Sequence, residues 1–454
     1  MEVTHFLYVF GGVKMKKILL ITLITFQFFS LTNAYAIQTS TDYTDDVFTY
    51  TITDGIATIT GLKTPVSGKL TIPATIGGCP VIKIDTLAFS GDRYITEVVI
   101  SEGVTTIMWG AFYGSYIGRI TLPSTISIIE GYAFYNCSNL KRVYINDIES
   151  WCNIDFEDAY ANPLSCDVAS LYLYNKLTTS ITIPNTIKTI KKYSFYMSFV
   201  RTVNMSDSVE VIEDQAFYSC RNLTSITLSK NLKSIGKQSF YNSGIMRLYI
   251  PDEVEIIGDK AFALCADMYE VRVPPKIKEI HDSAFYDCLG LVNVALPKSI
   301  KRIGSCAFYN CKSLKNIFYA GSQTEYQDIV IGSYNTYLTS ARTFYNCPSS
   351  GNWKAIMSVE NCSYNDNELK YKVKIVPRTY FSGTFIIATY TKDNRLLDVD
   401  TTSFQLASTD DVTIQNTIPV SSKPYKYKIF LLDNSSNTLK PLTNHQENVC
   451  FNIS

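Results

Sequence analysis

The stretch from Leu291 to Cys311, LVNVALPKSIKRIGSCAFYNC, is one complete copy of a phrase that recurs along the chain. Each copy ends in a small residue, then phenylalanine, and usually tyrosine. Most copies are 22 or 23 residues apart, which is too short for independent domains and predicts a solenoid of mutually buried repeats. The phenylalanines that mark the copies are Phe89, Phe112, Phe134, Phe195, Phe217, Phe240, Phe262, Phe285, Phe308 and Phe344.

The apolar residues of this copy predict a short strand followed by a tight loop. Val294 and Leu296 alternate with other residues, which is the pattern of a strand with one buried face. Pro297 ends the strand because it has no N–H to donate, and Ile300 and Ile303 then turn inward. Strands of successive copies should stack about 4.8 Å apart. The longer gaps after the third and ninth phenylalanines predict insertions into coils.

The outward-facing strand position varies from copy to copy, unlike its inward neighbours. Variation on a rigid sheet is how solenoids build a surface for one partner, and Tyr and Arg are favoured at interfaces. We therefore predict partner binding by Tyr144, Tyr249, Arg272 and Phe318; the alternative is a solvated sheet without a partner. The whole column is Val99, Thr121, Tyr144, Thr182, Asn204, Thr227, Tyr249, Arg272, Ala295 and Phe318.

Tyrosine follows the phenylalanine in most copies. A turn position repeated in nearly every coil favours a structural ladder of stacked rings, and an aromatic track for sugars or peptides is the alternative. These residues are Tyr113, Tyr135, Tyr196, Tyr218, Tyr241, Tyr286, Tyr309 and Tyr345.

Half of the 12 cysteines lie three residues after a phenylalanine, and we expect them to form a column of buried free thiols. These are Cys137, Cys220, Cys265, Cys288, Cys311 and Cys347. Of the others, the pairs Cys152–Cys166 and Cys362–Cys450 remain open as disulfides.

The composition does not favour nucleic-acid binding or catalysis. The 41 basic residues balance the 41 acidic ones, which leaves no electrostatic reason to bind nucleic acid. His281 and His445 fall in different predicted domains, so no base is placed beside a nucleophile. We predict no catalytic residue, cofactor or metal. One acidic cluster consists of Glu149, Asp155, Glu157 and Asp158. It could hydrolyse glycosides or bind calcium, but we favour a solvated loop.

The sequence divides into five predicted segments. Two lysines, a short apolar run and Ala34-Tyr35-Ala36 predict a signal peptide over 1–36, with Met15 as the expected start. A leader and a capping hairpin around Asp54-Gly55 should occupy 37–66, the solenoid 67–347 and a linker 348–352. Short strand-like runs over 353–454 predict a small antiparallel β-sandwich. The protein should be secreted or at the cell surface, and not integral to the membrane after cleavage.

The repeated phrase resembles the leucine-rich repeats of the BspA-like family of microbial surface proteins, from about Tyr50 to Cys347. Ser194, Ser239 and Thr343 replace the usual alanine before phenylalanine, but all are small. The resemblance implies a mainly β leucine-rich-repeat solenoid and a non-enzymatic adhesion protein that binds a host or microbial surface protein. A glycan-binding or carbohydrate-active protein and an architectural spacer for the C-terminal domain are the alternatives.

Overall fold

The computed structural model of the chain describes residues 41–166, 168–345 and 347, and separate strands between 355 and 450. The predicted signal peptide and linker, and His445, lie outside the described residues. The side chains of Cys362 and Cys450 lie outside them as well, so their pairing stays open.

Each coil contributes a longer strand to a front ladder, in which equivalent residues of neighbouring coils lie side by side. Val294, for example, pairs in parallel with Val271 on one side and Ile317 on the other, and all three side chains are fully buried. The predicted solenoid of parallel strands is thus confirmed. The front ladder consists of three hydrogen-bonded groups of strands: Gly68–Ile72, Ile95–Ile100, Arg119–Thr121, Arg142–Ile145 and Ser170–Leu173; then Ser180–Ile183, Thr202–Met205 and Ser225–Thr227; then Arg247–Tyr249, Glu270–Arg272, Asn293–Leu296, Asn316–Tyr319 and Arg342–Phe344.

A second, rear ladder contains, in the regular coils, the inward-turning isoleucine that precedes each phenylalanine. It begins at the strand Cys79–Ile84, and Thr75–Ile76 pairs antiparallel with that strand. Its two-residue strands are Thr106–Ile107, Ile128–Ile129, Asp155–Phe156, Thr189–Ile190, Val211–Ile212, Ser234–Ile235, Ile256–Ile257, Glu279–Ile280, Arg302–Ile303 and Val330–Ile331.

A hairpin covers the first coil. The strands Phe48–Thr53 and Ile56–Leu62 pair around Asp54 and Gly55, whose φ angles of 51° and 74° suit a tight hairpin turn. Ile56–Leu62 continues the rear ladder in parallel beside Cys79–Ile84, so the first coil does not expose its core. Thr41–Thr44, which the sequence places in a leader, adds one more antiparallel strand.

The phenylalanines form a continuous apolar spine between the ladders. From Phe195 to Phe308 the ring centres of successive coils are between 5.1 and 5.5 Å apart, and every ring in this run is fully buried. The prediction that the tenth copy continues this line is wrong. Phe344 lies in the front ladder beside Phe318, 5.3 Å between ring centres. Leu338, on the helix Thr336–Ser340, is instead fully buried in the core.

The first insertion interrupts the front ladder between Ser170–Leu173 and Ser180–Ile183. It contains the helix Ile148–Cys152, the 3-10 turn Pro163–Ser165 and the strand Lys176–Leu177, which folds back on Ser170–Leu173.

Buried side chains connect the two sides of this interruption. Trp151 Nε1 donates to the carbonyl of Ser194 at 2.9 Å. Asn162 Nδ2 donates to the carbonyls of Tyr193 and Ser194 at 2.7 and 3.2 Å. In a regular pair of coils, the phenylalanine N–H, for example that of Phe112, donates to the carbonyl of the residue before the next phenylalanine. The side chains of Trp151 and Asn162 therefore replace main-chain N–H groups.

The second insertion contains the helices Gln323–Gln327 and Thr336–Ser340, and an asparagine again replaces the peptide group. Phe308 N donates to Asn335 Oδ1 at 2.9 Å. Asn335 Nδ2 donates to the carbonyls of Gly304 and Gly332 at 2.8 and 2.9 Å. The side chain is almost fully buried, so its amide satisfies groups that water does not reach.

Most regular coils contain two left-handed residues, one on each side of the alanine-phenylalanine-tyrosine phrase. In the coil of Phe262 they are Lys260, with φ of 54°, and Leu264, with φ of 61°. A non-glycine residue in this region costs about 1–2 kcal/mol. Those before the phenylalanine are Leu87, Tyr132, Tyr193, Gln215, Gln238, Lys260, Ser283 and Cys306.

The strands beyond 355 form two antiparallel sheets, as predicted, although most strands are longer than expected. The first sheet contains Ala355–Asn365, Glu368–Pro377 and Val412–Pro419, and the second contains Phe381–Tyr390, Leu396–Leu406, Lys426–Asp433, Lys440–Pro441 and Gln446–Cys450. The sandwich packing of these sheets stays a prediction.

We expect Asn335→Ala to lower the free energy of unfolding by at least about 2 kcal/mol, because it leaves several buried backbone groups unpaired. Urea unfolding of the full-length protein, followed by circular dichroism, measures the change. Asn222→Ala, at an exposed position, is the control and should alter stability by less than about 0.5 kcal/mol. Equal stability of the two variants would contradict the bridging role of Asn335.

Lys260→Gly should raise the free energy of unfolding by about 0.5–1 kcal/mol, since glycine adopts a positive φ without steric cost. Lys237→Gly provides the matched control because Lys237 is also exposed but does not have a positive φ. That substitution should destabilise by about 0.5–1 kcal/mol through backbone entropy. The same unfolding measurement compares them, and a loss of stability in both would show that the positive φ is not strained.

Candidate functional site

The outward-facing column of the front ladder is open in its middle part. Thr182, Asn204 and Thr227 occupy equivalent register positions and are exposed. Tyr249 follows them with 52% of its surface exposed. Tyr144 is half-buried, and its ring lies 5.0 Å from that of Tyr172 in the next strand. We call the four open positions from Thr182 to Tyr249 the outer face.

The other two predicted partner-binding residues differ from expectation. Arg272 is 5% exposed and Phe318 is 1% exposed, so neither lies on an open surface. The Arg272 guanidinium donates to Asp252 Oδ1 at 2.7 Å, and its central carbon lies 5.2 Å from the centre of the Tyr249 ring. Phe318 stacks on Phe344. Alternation identifies the outward side of a strand correctly, but it cannot show whether that side is covered.

Tyrosine rings form a second ladder along the edge of the solenoid. Tyr196, Tyr218 and Tyr241 stack in succession with centre distances of 4.9 and 4.7 Å. Tyr160, which belongs to the first insertion, lies 4.7 Å from Tyr135 and so extends the N-terminal part of the ladder. Burial, helped by the neighbouring tyrosines, raises the pKa of Tyr196 to about 12. The rings therefore stack between coils as the structural interpretation predicts.

The end of the repeat pattern departs from this ladder. Tyr345, the last predicted member, contacts Tyr326 with its ring centre 5.9 Å away. This departure accompanies the shift of the preceding phenylalanine into the front ladder, because both residues belong to the same displaced copy of the phrase.

Five of the six predicted column cysteines form a line of free thiols, and each of these five donates to the phenylalanine carbonyl of the preceding coil. Cys220 Sγ, for example, lies 3.0 Å from the oxygen of Phe195. In neighbouring coils Ser198 and Ser243 occupy the same place three residues after phenylalanine. The same contact is made by Cys137, Cys265, Cys288 and Cys311.

Two assignments within this column need correction. Cys166 Sγ lies 3.6 Å from the carbonyl oxygen of Phe134, so Cys166 belongs to the column although it follows no phenylalanine. Cys152 is a free thiol, so the Cys152–Cys166 disulfide, one of two pairings that the sequence left open, does not form. Cys347 lies outside the column, because its thiol contacts the carbonyl of Phe344 in its own coil.

Burial makes these thiols poor nucleophiles. It raises the pKa of Cys137 to about 11 and that of Cys220 and Cys311 to about 12. Because the thiolate is the reactive form, thiols with these values stay protonated and inert near neutral pH.

The acidic cluster of the first insertion serves the backbone. Glu157 Oε2 accepts from Gly131 N at 2.7 Å, and Asp158 Oδ1 accepts from the backbone N–H groups of Tyr160 and Ala161. Asp155 pairs with Lys191 at 2.7 Å. Glu149 lies in the first turn of the helix Ile148–Cys152, where a negative charge is favourable. These contacts are typical of a structured loop.

Other candidate chemistry is sparse in the described part of the chain. His281 is partly buried, and its Nδ1 lies 3.5 Å from Asp259 Oδ1. Among the described residues, no three or more His, Cys, Asp or Glu side chains are grouped so that they could hold a metal ion. The same residues include no helix of sufficient length and apolarity to cross a bilayer.

A family model described as a BspA type leucine rich repeat region matches the chain in six copies, over residues 69–160, 168–290 and 233–353. No curated protein sequence matches the chain.

Several solved structures are similar at low identity. A leucine rich cell surface protein from Faecalibacterium prausnitzii is 22% identical, with 65% of this chain and 99% of that chain covered and a TM-score of 0.29. A leucine-rich repeat protein from Bacteroides ovatus is 18% identical, with coverages of 67% and 100% and a TM-score of 0.31. The pneumococcal vaccine antigen PcpA is 17% identical, with coverages of 68% and 98% and a TM-score of 0.31.

The raised thiol pKa values predict a loss of stability at alkaline pH. An unfolded thiol ionises above its ordinary pKa of 9.0, whereas the folded Cys220 thiol stays protonated up to about 12. The free energy of unfolding should therefore fall between these values, by up to about 1.4 kcal/mol per pH unit for each thiol.

Cys220→Ser should flatten this pH dependence by the contribution of one thiol, and the serines in neighbouring coils indicate that the substitution fits. Urea unfolding under reducing conditions between pH 7 and pH 10.5 measures the effect. Ser198→Ala, which alters the same column without removing a thiol, should keep the wild-type slope. Parallel curves for wild type and Cys220→Ser would refute the assignment.

Proposed function

Because the chain belongs to the BspA-type leucine-rich repeat family, we propose that it is an exported, non-enzymatic adhesion protein that presents the outer face of its solenoid to a host or microbial surface protein. Membership of this family supports a surface or adhesion role. The rigid, partly exposed sheet supports a binding surface.

The observation on which the proposal depends is the environment of Tyr249. This ring is half-exposed at the end of an open strip of small polar residues. Arg272 packs against the ring, and Asp252 in turn holds Arg272. An exposed tyrosine that is already fixed in place loses little side-chain entropy on binding, and such residues often dominate interface energies. Arg272 thus acts as a positioning residue for Tyr249.

The structural roles of the reactive side chains support a non-enzymatic function. The acidic insertion uses its carboxylates in backbone and lysine contacts, and burial keeps the column thiols protonated. The described solenoid therefore offers surfaces with varied side chains more readily than a pair of groups poised for acid–base or nucleophilic chemistry.

Tyr249→Ala should weaken binding to the protein partner at least tenfold without changing the thermal unfolding temperature by more than a few degrees. Biolayer interferometry with purified fibronectin, laminin, collagen and intact bacterial cells as immobilised targets identifies the partner and measures its affinity. Tyr337→Ala, which removes a partly exposed ring on a helix of the second insertion, is the control and should bind as wild type does. Unchanged affinity of Tyr249→Ala, or no binding to any target, would argue against the proposal.

A further inference from the structure

A shallow surface pocket of about 380 Å³ lies at the beginning of three adjacent front-ladder strands, in the N-terminal half of the solenoid. Its lining includes the cations Arg119, Lys141 and Arg142 and the uncharged residues Tyr116 and Asn139. All five side chains are exposed. The volume falls within the range of small-molecule sites, which is about 300–1,000 Å³.

The register of the front ladder places two arginines of this pocket side by side. Arg142 pairs directly with Arg119, and Arg119 pairs with Glu97 in the preceding coil. Neighbouring strands are only about 4.8 Å apart, and like charges directly opposite each other destabilise a sheet. Packing alone therefore gives no reason for this arrangement.

The nearest acidic residue does not neutralise the pocket. Glu97 forms ion pairs with both Arg119 and Lys69, so its one carboxylate is shared between two cations. Lys141 and Arg142 form no ion pair with any residue within the described ranges. The pocket thus has an excess of positive charge although the chain as a whole is neutral.

Elsewhere in the solenoid, several exposed cations pair with a carboxylate one coil away. Lys230 pairs with Asp207 at 3.1 Å, and Lys276 pairs with Glu253 at 2.8 Å. Arg302 pairs with Glu279 in the same way. Ion pairs between coils thus recur in this chain, and Arg119 forms one with Glu97, whereas Arg142 faces Arg119 in place of a carboxylate.

We propose that this pocket binds an anionic saccharide, meaning a sugar that carries a sulfate or a carboxylate group. Adjacent guanidinium groups are suited to bidentate contacts with such groups, and Lys141 adds a third cation. Tyr116 is 43% exposed, and the ring face that Arg93 does not cover offers an apolar platform for a sugar ring. Asn139 can donate to and accept from sugar hydroxyls.

The size and composition of the site favour a saccharide over nucleic acid. Its cations are confined to one pocket, whereas nucleic-acid binding uses a basic stripe that follows the phosphate backbone. The Tyr116 ring also carries a cation over one face, since the guanidinium carbon of Arg93 lies over the ring, 5.6 Å from its centre. An aromatic ring bordered by cations is a suitable surface for a sugar with an acidic substituent.

Isothermal titration of the full-length protein with defined hexasaccharides tests the proposal. A heparin-derived hexasaccharide probes sulfate, a hyaluronan hexasaccharide probes carboxylate, and a chitin hexasaccharide is the neutral comparison. At least one anionic sugar should bind ten times more tightly than the neutral sugar, with an affinity that falls as salt increases. Equal affinity for the anionic and the neutral sugar would overturn the proposal, and so would equal affinity for the anionic sugar and inorganic sulfate. A polyglutamate peptide or an oligonucleotide that binds more tightly than the anionic sugar would also overturn it.

Substitutions of Arg142 separate ligand binding from a structural role. Arg142→Gln should lower the affinity for the anionic sugar at least tenfold, and Arg142→Glu should abolish binding while raising the unfolding temperature, because the new carboxylate can pair with Arg119. Arg247→Gln removes an arginine from the equivalent strand position in a distant coil and should leave binding unchanged. Wild-type affinity in both Arg142 variants would refute the site.

Discussion

The structure depends on one requirement. Every coil must pair its backbone polar groups with the next coil and bury its apolar face against it, and the distance between coils must be the same throughout. The phenylalanine spine satisfies the apolar part, with rings just over 5 Å apart. Main-chain hydrogen bonds between coils satisfy the polar part. Where an insertion breaks this order, Asn162 and Asn335 supply an amide in place of the missing peptide group. An asparagine can do so because its side chain contains the same donor and acceptor as the backbone.

Features that repeat with the coil could be predicted from the sequence. The strands, the spine and the column of free thiols follow from periodicity, because a residue type that recurs at one position must fit the same environment in each coil. Features that depend on the number of residues between two copies could not. Phe344 has the right neighbours in sequence, yet the second insertion brings it into the front ladder instead of the spine. Cys166 lacks the preceding phenylalanine, yet the first insertion returns it to the thiol column.

The exposure of outward-facing side chains also could not be predicted from the sequence. Alternation along a strand shows which side chains face away from the core, and it placed Tyr249 and Arg272 correctly on neighbouring strands. It does not show what covers that side, and both Arg272 and Phe318 are buried. The residues with positive φ could not be predicted from the sequence either. Glycine usually marks such positions, but here lysine, glutamine and leucine occupy them, because the hydrogen bonds of each coil impose the turn on whatever residue is present.

In a repeat protein, structural and functional charges can be distinguished by asking whether the neighbouring coil compensates them. Lys230 and Lys276 each form an ion pair with a carboxylate one coil away, so contacts within the solenoid explain their charges. Arg119 is likewise paired with Glu97 in the preceding coil, but Arg142 lies directly opposite Arg119, and like charges at that position lower stability without improving packing. A regular scaffold thus makes its exceptions informative, and a like-charged pair that opposes the stability of the stack is an observation that supports the proposed anion site.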